Sequence, residues 1–161
     1  MTTAAIIGRF QPLHNGHLEL IKQALKENDK VVIVIGSSNK AYTNENPFTA
    51  EEREDMIRKS VKGNYEIIQV PDVPSDDEWI KNVEEKAGSF DTVYTGNTAT
   101  KKLFQDYDYP VSDAVFSLKL SATDVRALMY KNDKKWEELV PKGALKVLKS
   151  IDVKKRIKQI I

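Results

Sequence analysis

Short apolar runs alternate with amphipathic stretches along the chain, and the clearest of these runs stop at a glycine or a proline. Residues 31–35 form five consecutive β-branched positions and are followed by Gly36. A run of this kind is typical of a strand that is buried on both faces of a parallel sheet. Similar runs predict further strands at residues 3–7, 65–70 and 91–95, with a fifth candidate at 113–116.

Helical periodicity and helix-capping residues lie between these runs. Thr49 with Glu52, and Ser121 with Asp124, have the spacing of a capping box. Alternating strands and helices indicate right-handed βαβ units. We therefore predict an α/β fold: a single-domain, doubly wound, Rossmann-like parallel sheet of about five strands with helices on both faces, over residues 1–161. Ligands of such folds bind beyond the carboxyl ends of the strands.

Composition narrows the classes of function. The net charge is +1, so the chain lacks the global positive field that nucleic-acid binding uses. The absence of cysteine excludes a disulfide framework, a thiolate metal site and a cysteine nucleophile. The apolar runs are too short to span a bilayer, and we see no secretory signal. We expect a cytoplasmic protein that binds small molecules, with no nucleic-acid partner and no membrane contact.

The segment after the first strand carries the strongest functional signal. It reads Gly-Arg-Phe-Gln-Pro-Leu-His-Asn-Gly-His over residues 8–17, and it contains both histidines of the chain. His14 and His17 are three positions apart, so they share one side of the first turn of the next helix. Free amides and the positive end of the helix dipole lie at the same place. The pattern favours a phosphate site in which the imidazoles stabilise charge without a covalent step.

Other interpretations of the two histidines are weaker. They could be packing or capping residues, although both occur in one motif at a helix start. Two histidines at this spacing with no nearby carboxylate or cysteine make a poor zinc site. The seven glycines form neither a G-x-G-x-x-G pattern nor a Walker A pattern, so the familiar phosphate loops are absent from the sequence.

A second phosphate-binding pattern opens a late helix. Ser121 and Thr123 place hydroxyl groups beside the free amides of that helix. Arg126 follows one turn later, and we expect it to lie near the protein surface at the start of the helix. Its guanidinium can make paired hydrogen bonds to phosphate. Taken alone, the segment would be an ordinary helix cap with a solvated arginine.

Together the two patterns resemble a known family. His14-x-Gly16-His17 resembles the signature of the Rossmann-like nucleotidyltransferase superfamily, and residues 8–17 resemble the archaeal-type nicotinamide-nucleotide adenylyltransferases. Residues 121–126 resemble the second signature of that superfamily. Phosphopantetheine adenylyltransferases and the glycerol-phosphate-type cytidylyltransferases usually have Ser or Thr in place of Arg9. The same archaeal-type pattern is found at 35–38, 45–53, Trp79 and 94–97.

The resemblance implies an enzyme that transfers AMP from ATP to nicotinamide mononucleotide (NMN), forming NAD and pyrophosphate by direct in-line attack. It implies one nucleotidyltransferase domain, Mg²⁺ carried with ATP, no protein metal site and a homo-oligomer such as a hexamer. The implied catalytic residues are His14, His17 and Arg126. The implied ATP-binding residues are Gly8, Arg9, Phe10, Gln11, His14, Gly16, His17, Ser121, Thr123 and Arg126. The implied acceptor-binding residues are Arg53, Trp79 and Asn97.

One stretch departs from the family pattern. Relatives often carry an Asn-Arg pair just before the second signature, and residues 116–120 here read Phe-Ser-Leu-Lys-Leu. Lys119 could supply the charge, but as a point charge and not as a planar fork. Two alternatives therefore stay open: a nucleotidyltransferase with another phosphorylated acceptor, such as phosphopantetheine or FMN, and a nucleotide-sensing module without turnover.

The last residues of the chain are basic. Lys154, Lys155, Arg156 and Lys158 alternate with apolar residues at helical spacing. This pattern predicts a solvated amphipathic helix, or one packed at a subunit contact.

Overall fold

The protein is described here by a computed structural model that covers residues 1–112 and 119–160. Its centre is a parallel sheet of four strands, in the order β3-β2-β1-β4. The strands are β1 (Thr3–Gly8), β2 (Lys30–Ile35), β3 (Tyr65–Gln69) and β4 (Thr92–Tyr94).

The strand count corrects the prediction of about five strands. Four of the predicted strands are confirmed within a residue or two, while the fifth candidate, at 113–116, lies outside the described residues. Beyond β4, an isolated bridge joins Val93 to Val111. In the described part of the chain the sheet therefore has four strands.

The helices occupy the connections and the region that follows β4. They are α1 (Asn15–Glu27), α2 (Ala50–Ser60), α3 (Asp76–Ala87), α4 (Thr98–Asp106), α5 (Ala122–Tyr130), α6 (Lys142–Ile151) and α7 (Val153–Ile160), with a 3₁₀ helix at Lys134–Leu139. The predicted capping boxes of α2 and α5 are both present. Within residues 1–112 and 119–160, none of the helices has the length and apolarity that a bilayer crossing requires.

Alternate residues of the sheet face two separate cores, which confirms that helices cover both faces. Ala4 and Ile6 of β1 pack in the core that α1, α2, α5 and α6 cover. Ala5 and Ile7 pack in the opposite core, against Val83 of α3 and Phe104 of α4. Because both faces of the sheet are covered, a ligand can reach β1 at the ends of the strand but not through the faces.

The chain reverses its winding direction at β1. The chain adds β2 and β3 on one side of β1, and β4 then pairs with its other side. Ligands of open α/β sheets bind at such a switch point, in the crevice between the diverging loops.

Candidate active site

A cavity of about 650 Å³ opens at this switch point, a size typical of small-molecule sites. We call it the strand-end cavity. Its walls come from the loops after β1, β2, β3 and β4 and from the start of α5. The lining includes Gly8, Arg9, Phe10, Gln11, His14, Gly16, His17, Trp79, Asn97, Ser121, Thr123 and Arg126. Of the thirteen predicted site residues, twelve line this one cavity.

The β1–α1 loop turns tightly directly after β1. Phe10 is buried and has a positive φ of 55°, and its ring lies over Gly8. A Cβ at Gly8 would lie 3.0 Å from Cζ of Phe10, closer than real Cβ atoms normally pack. Glycine at position 8 therefore leaves room for the phenyl ring of Phe10 to fold back over the strand end. With the loop turned in this way, Gln11 and His14 line the cavity.

The two histidines cap α1 reciprocally. The backbone N–H of His17 donates to Nδ1 of His14 at 3.3 Å, and the backbone N–H of His14 donates to Nδ1 of His17 at 3.1 Å. Since each Nδ1 accepts a hydrogen bond, these bonds assign the proton of each neutral ring to Nε2. The capping interpretation and the functional interpretation are thus compatible, because one nitrogen of each ring caps the helix and the other is left as a donor.

Gly16 allows the two rings to stack. The ring centroids of His14 and His17 are 3.6 Å apart. A Cβ at Gly16 would lie 2.9 Å from Cε1 of His14, so any other residue would displace this ring. The spacing of the His-x-Gly-His motif follows from this packing.

Burial keeps both histidines neutral. It lowers the pKa of His14 from 6.5 to about 4, against a smaller opposing effect of the Asp124 carboxylate. Burial, and then the repulsion from His14, lowers the pKa of His17 well below 6.5. At neutral pH the site therefore offers two uncharged N–H donors.

The second motif meets the first across the mouth of the cavity. Nη1 of Arg126 donates to the backbone oxygen of Gln11 at 2.8 Å, and Nη2 donates to Oγ1 of Thr123 at 3.3 Å. Ser121 caps α5 through its hydroxyl oxygen. The expected surface position of Arg126 is wrong, because only 6% of the residue is exposed. Burial, followed by the charge of Arg9, lowers the pKa of Arg126.

Aromatic and polar residues of α3 and α4 also line the cavity. Trp79, from α3, is half-buried and packs edge-on against Phe104. Asn97 caps α4: its Oδ1 accepts from the backbone N–H of Thr100 at 2.9 Å, and the amide nitrogen takes no part in this cap. Asn97 is thus both a helix cap and a cavity residue.

Sequence reasoning did not propose several other residues that line the cavity. Ser37 follows β2 and donates to Oδ1 of Asp72, which follows β3, at 2.9 Å. Both residues line the cavity, as do Thr95 and Thr100. Their common signal is a polar residue at the end of a predicted strand, as for Thr95, or two to five positions after it, as for Ser37, Asp72 and Thr100.

The position of Arg53 does not match its predicted role in binding the acceptor. Expected to contact the acceptor, it is fully buried and lies outside the lining of the cavity. All five of its N–H groups are directed to backbone oxygens, at distances of 2.9–3.2 Å. The accepting residues are Arg9, Gly36, Ser37, Lys40 and Thr49. Arg53 ties the loops after β1 and β2 together, and burial lowers its pKa to about 10.

Two further observations concern Lys119 and the grouping of possible metal ligands. Lys119 lines the cavity, whereas residues 116–118 before it lie outside the described residues. In the ranges that the structure describes, no three His, Asp or Glu side chains are grouped so that they could hold a metal ion.

Comparison with known proteins places the chain in a family. The family model described as cytidylyltransferase-like matches residues 5–156. A protein of Thermoplasma volcanium, named nicotinamide-nucleotide adenylyltransferase, is 39% identical over 98% of this chain and 91% of its own length. The protein of the same name from Methanococcus aeolicus is 40% identical over 98% of this chain and 94% of its own length.

Solved structures show the same fold. A bifunctional NMN adenylyltransferase/ADP-ribose pyrophosphatase from Francisella tularensis, complexed with AMP and a manganese ion, has a TM-score of 0.73 and 24% sequence identity. The match covers 99% of this chain, which spans about half (52%) of the length of that protein.

Proposed function

The chain belongs to the cytidylyltransferase-like family and, within it, to the nicotinamide-nucleotide adenylyltransferases, and we propose on this premise that the strand-end cavity joins AMP from ATP to NMN. The products are NAD and pyrophosphate. The observation that carries the proposal is the meeting of the two phosphate-binding motifs in one cavity, where Arg126 contacts Gln11 across 115 positions of sequence.

The reaction is an in-line displacement at the α-phosphorus of ATP. A phosphate oxygen of NMN forms the new bond to this phosphorus, and the bond to the β-phosphate oxygen breaks, which releases pyrophosphate. A phosphate dianion is already a nucleophile, so the protein needs no general base. Its contribution is positioning and the stabilisation of charge.

We assign the charge-stabilising work to five side chains. The Nε2–H groups of His14 and His17 bind the phosphate oxygens that gain charge as pyrophosphate departs. Arg126, with the hydroxyl groups of Ser121 and Thr123, binds the β- and γ-phosphates. The adjoining loop, from Gly8 to Gln11 with Gly16, surrounds the nucleotide.

The acceptor occupies the other end of the cavity. Trp79 stacks on the pyridine ring, and the amide nitrogen of Asn97, which the α4 cap leaves unused, donates to the carboxamide oxygen. Arg53 serves this end indirectly, because it holds Ser37 and Gly36 in the cavity wall.

Mg²⁺ enters with ATP as part of the substrate. We expect phosphate oxygens and water to supply most of its coordination, as is usual for Mg²⁺ at nucleotide sites. We also propose that the protein is cytoplasmic, as its composition suggests, and, from the family resemblance, that it forms a homo-oligomer.

The test is an assay with purified protein, Mg-ATP and a panel of phosphorylated acceptors: NMN, nicotinic acid mononucleotide, phosphopantetheine and FMN. We expect pyrophosphate release that depends on the acceptor, and NAD identified by mass as the fastest product. Faster release with FMN or phosphopantetheine would overturn the acceptor assignment. ATP binding without pyrophosphate from any acceptor would favour the sensing module.

A further inference from the structure

Arg156 makes a shielded ion pair that the basic tail of the sequence does not predict. This arginine of α7 is only 8% exposed. Its Nη1 and Nη2 atoms bind Oε1 and Oε2 of Glu52 at 2.7 and 2.8 Å. By contrast, the side chains of the Lys102–Asp106 pair are 75% and 58% exposed. A two-point pair that is partly withdrawn from water couples its partners more firmly than an exposed one.

The same guanidinium holds both ends of a short segment. Nη1 also donates to the backbone oxygen of Pro47 at 3.0 Å, while Glu52, its ion-pair partner, completes the capping box of α2 by accepting from the backbone N–H of Thr49 at 2.8 Å. On its outer side the guanidinium lies 4.2 Å from the centre of the Tyr42 ring. Arg156 therefore fixes the segment from Pro47 to Glu52 against α7.

This segment in turn holds the β1–α1 loop. The side-chain amide of Gln11 makes two hydrogen bonds to the backbone of Phe48, each 3.0 Å long. Nη1 of Arg9 donates to Oδ1 of Asn46 at 3.2 Å. The loop residues that receive these contacts line the strand-end cavity, whereas Arg156, Glu52 and Pro47 do not.

We infer that Arg156 is a positioning residue of the active site: from α7, it sets the place of Arg9 and Gln11, and through Gln11 that of Arg126. The path is continuous, from Arg156 to Pro47 and Glu52, then to the backbone of Phe48 and to Gln11, whose carbonyl accepts from Arg126. The kinetic part of this inference rests on the proposed function, and its structural part does not.

The test compares two conservative variants with a matched control. Arg156→Lys keeps the charge but loses the two-point contact, and Glu52→Gln keeps an acceptor for the α2 cap but loses the ion pair. Arg58→Lys is the control, because Arg58 lies on the same helix as Glu52 and its ion pair is with Glu54, which is not part of the path. Circular dichroism defines a temperature at which each protein is folded, and all measurements are made there.

Two readouts are measured on the same proteins. In the protein without ligands, we expect faster hydrogen–deuterium exchange in peptides covering 8–13 and 43–49 in both variants and not in the control. In the enzyme assay, we expect the KM for ATP to rise roughly three- to tenfold, with a lower kcat and a nearly unchanged KM for NMN. In the double variant, the increase in the KM for ATP should be smaller than the product of the two single increases. Each single substitution already breaks the Arg156–Glu52 ion pair, so the second has less to remove.

Three outcomes would decide against the inference or against its premise. Faster exchange confined to α7, with peptide 8–13 unchanged, would show that the path stops before the loop and would overturn the inference. A lowered melting temperature with unchanged kinetic constants would overturn it also, since Arg156 would then be only structural. If the wild-type protein releases no pyrophosphate, the proposed function fails, while the exchange of peptide 8–13 still decides whether Arg156 positions the loop.

Discussion

The ring of His17 has two tasks, one at each nitrogen. Its Nδ1 completes the cap of α1, and its Nε2–H is the donor that we propose for the phosphate oxygens. A substitution can remove both tasks, or one of them, depending on where the new side chain places its polar atoms.

We expect His17→Ala to lower kcat about 10²–10³-fold, the usual effect of losing one donor to a charge that develops in the transition state. The affinity for ATP should change much less, because the donor acts mainly in the transition state. Steady-state kinetics and equilibrium binding of Mg-ATP measure the two effects separately.

Asn and Gln separate the two tasks of the ring. The amide of Asn reaches the place of Nδ1 and can restore the cap, whereas the amide of Gln reaches the place of Nε2 and can restore the donor. We therefore expect His17→Asn to recover melting temperature but not turnover, and His17→Gln to recover more turnover than His17→Asn. A His17→Ala variant with near-normal kcat would show that the residue is only structural.

Trp79 gives a prediction for the acceptor. Trp79→Ala should raise the KM for NMN about 5- to 160-fold, since stacking of a flat base on an aromatic ring is worth roughly 1–3 kcal/mol. The KM for ATP should hardly change. Trp79→Phe, which keeps a stacking surface, is the control. If both substrates lose affinity equally, Trp79 supports the cavity wall through its contact with Phe104 and does not distinguish the substrates.

At the scale of the element, the start of α1 is sensitive to pH, because its cap needs both Nδ1 atoms unprotonated. The pKa of His14 is about 4 in the folded protein and near 6.5 in the unfolded chain. Between these values the unfolded state binds more protons, so the free energy of unfolding falls as the pH falls from 6.5 towards 4. Above 6.5 this contribution to stability is fully present.

We therefore expect the midpoint of urea unfolding to drop between pH 7 and pH 4.5. His14→Asn is the matched control, since Asn is a good helix cap that does not titrate in this range. Its midpoint should fall less steeply than that of the wild type. Parallel slopes for the two proteins would mean that His14 does not contribute to the pH dependence.

How much of each element could be predicted depends on how local its causes are. The run at 31–35 and the capping boxes at Thr49 and Ser121 depend on neighbouring residues, so the sequence predicted them correctly. The roles of Arg53 and Arg156 depend on backbone oxygens and a carboxylate far away in sequence. A buried arginine and a solvated one look alike until the fold supplies or withholds such partners.

At the scale of the whole molecule, ATP should bind across two distant parts of the chain and stabilise the fold as a unit. A ligand at one hundred times its Kd contributes about 2.7 kcal/mol to the free energy of unfolding. For a chain of this size, the melting temperature should rise by about 5–10 °C in saturating Mg-ATP. Differential scanning fluorimetry measures this shift. Arg126→Ala should reduce it strongly, and an equal shift in that variant would remove Arg126 from the ATP site.

The central place of β1 has a consequence for synthesis. The ribosome makes β1 first, yet one side of this strand finds its partner only when β4 (Thr92–Tyr94) has been made. At about 5–20 residues per second, this takes several seconds, during which an apolar strand edge stays unpaired. We therefore expect the nascent protein to be most prone to self-association before translation reaches β4.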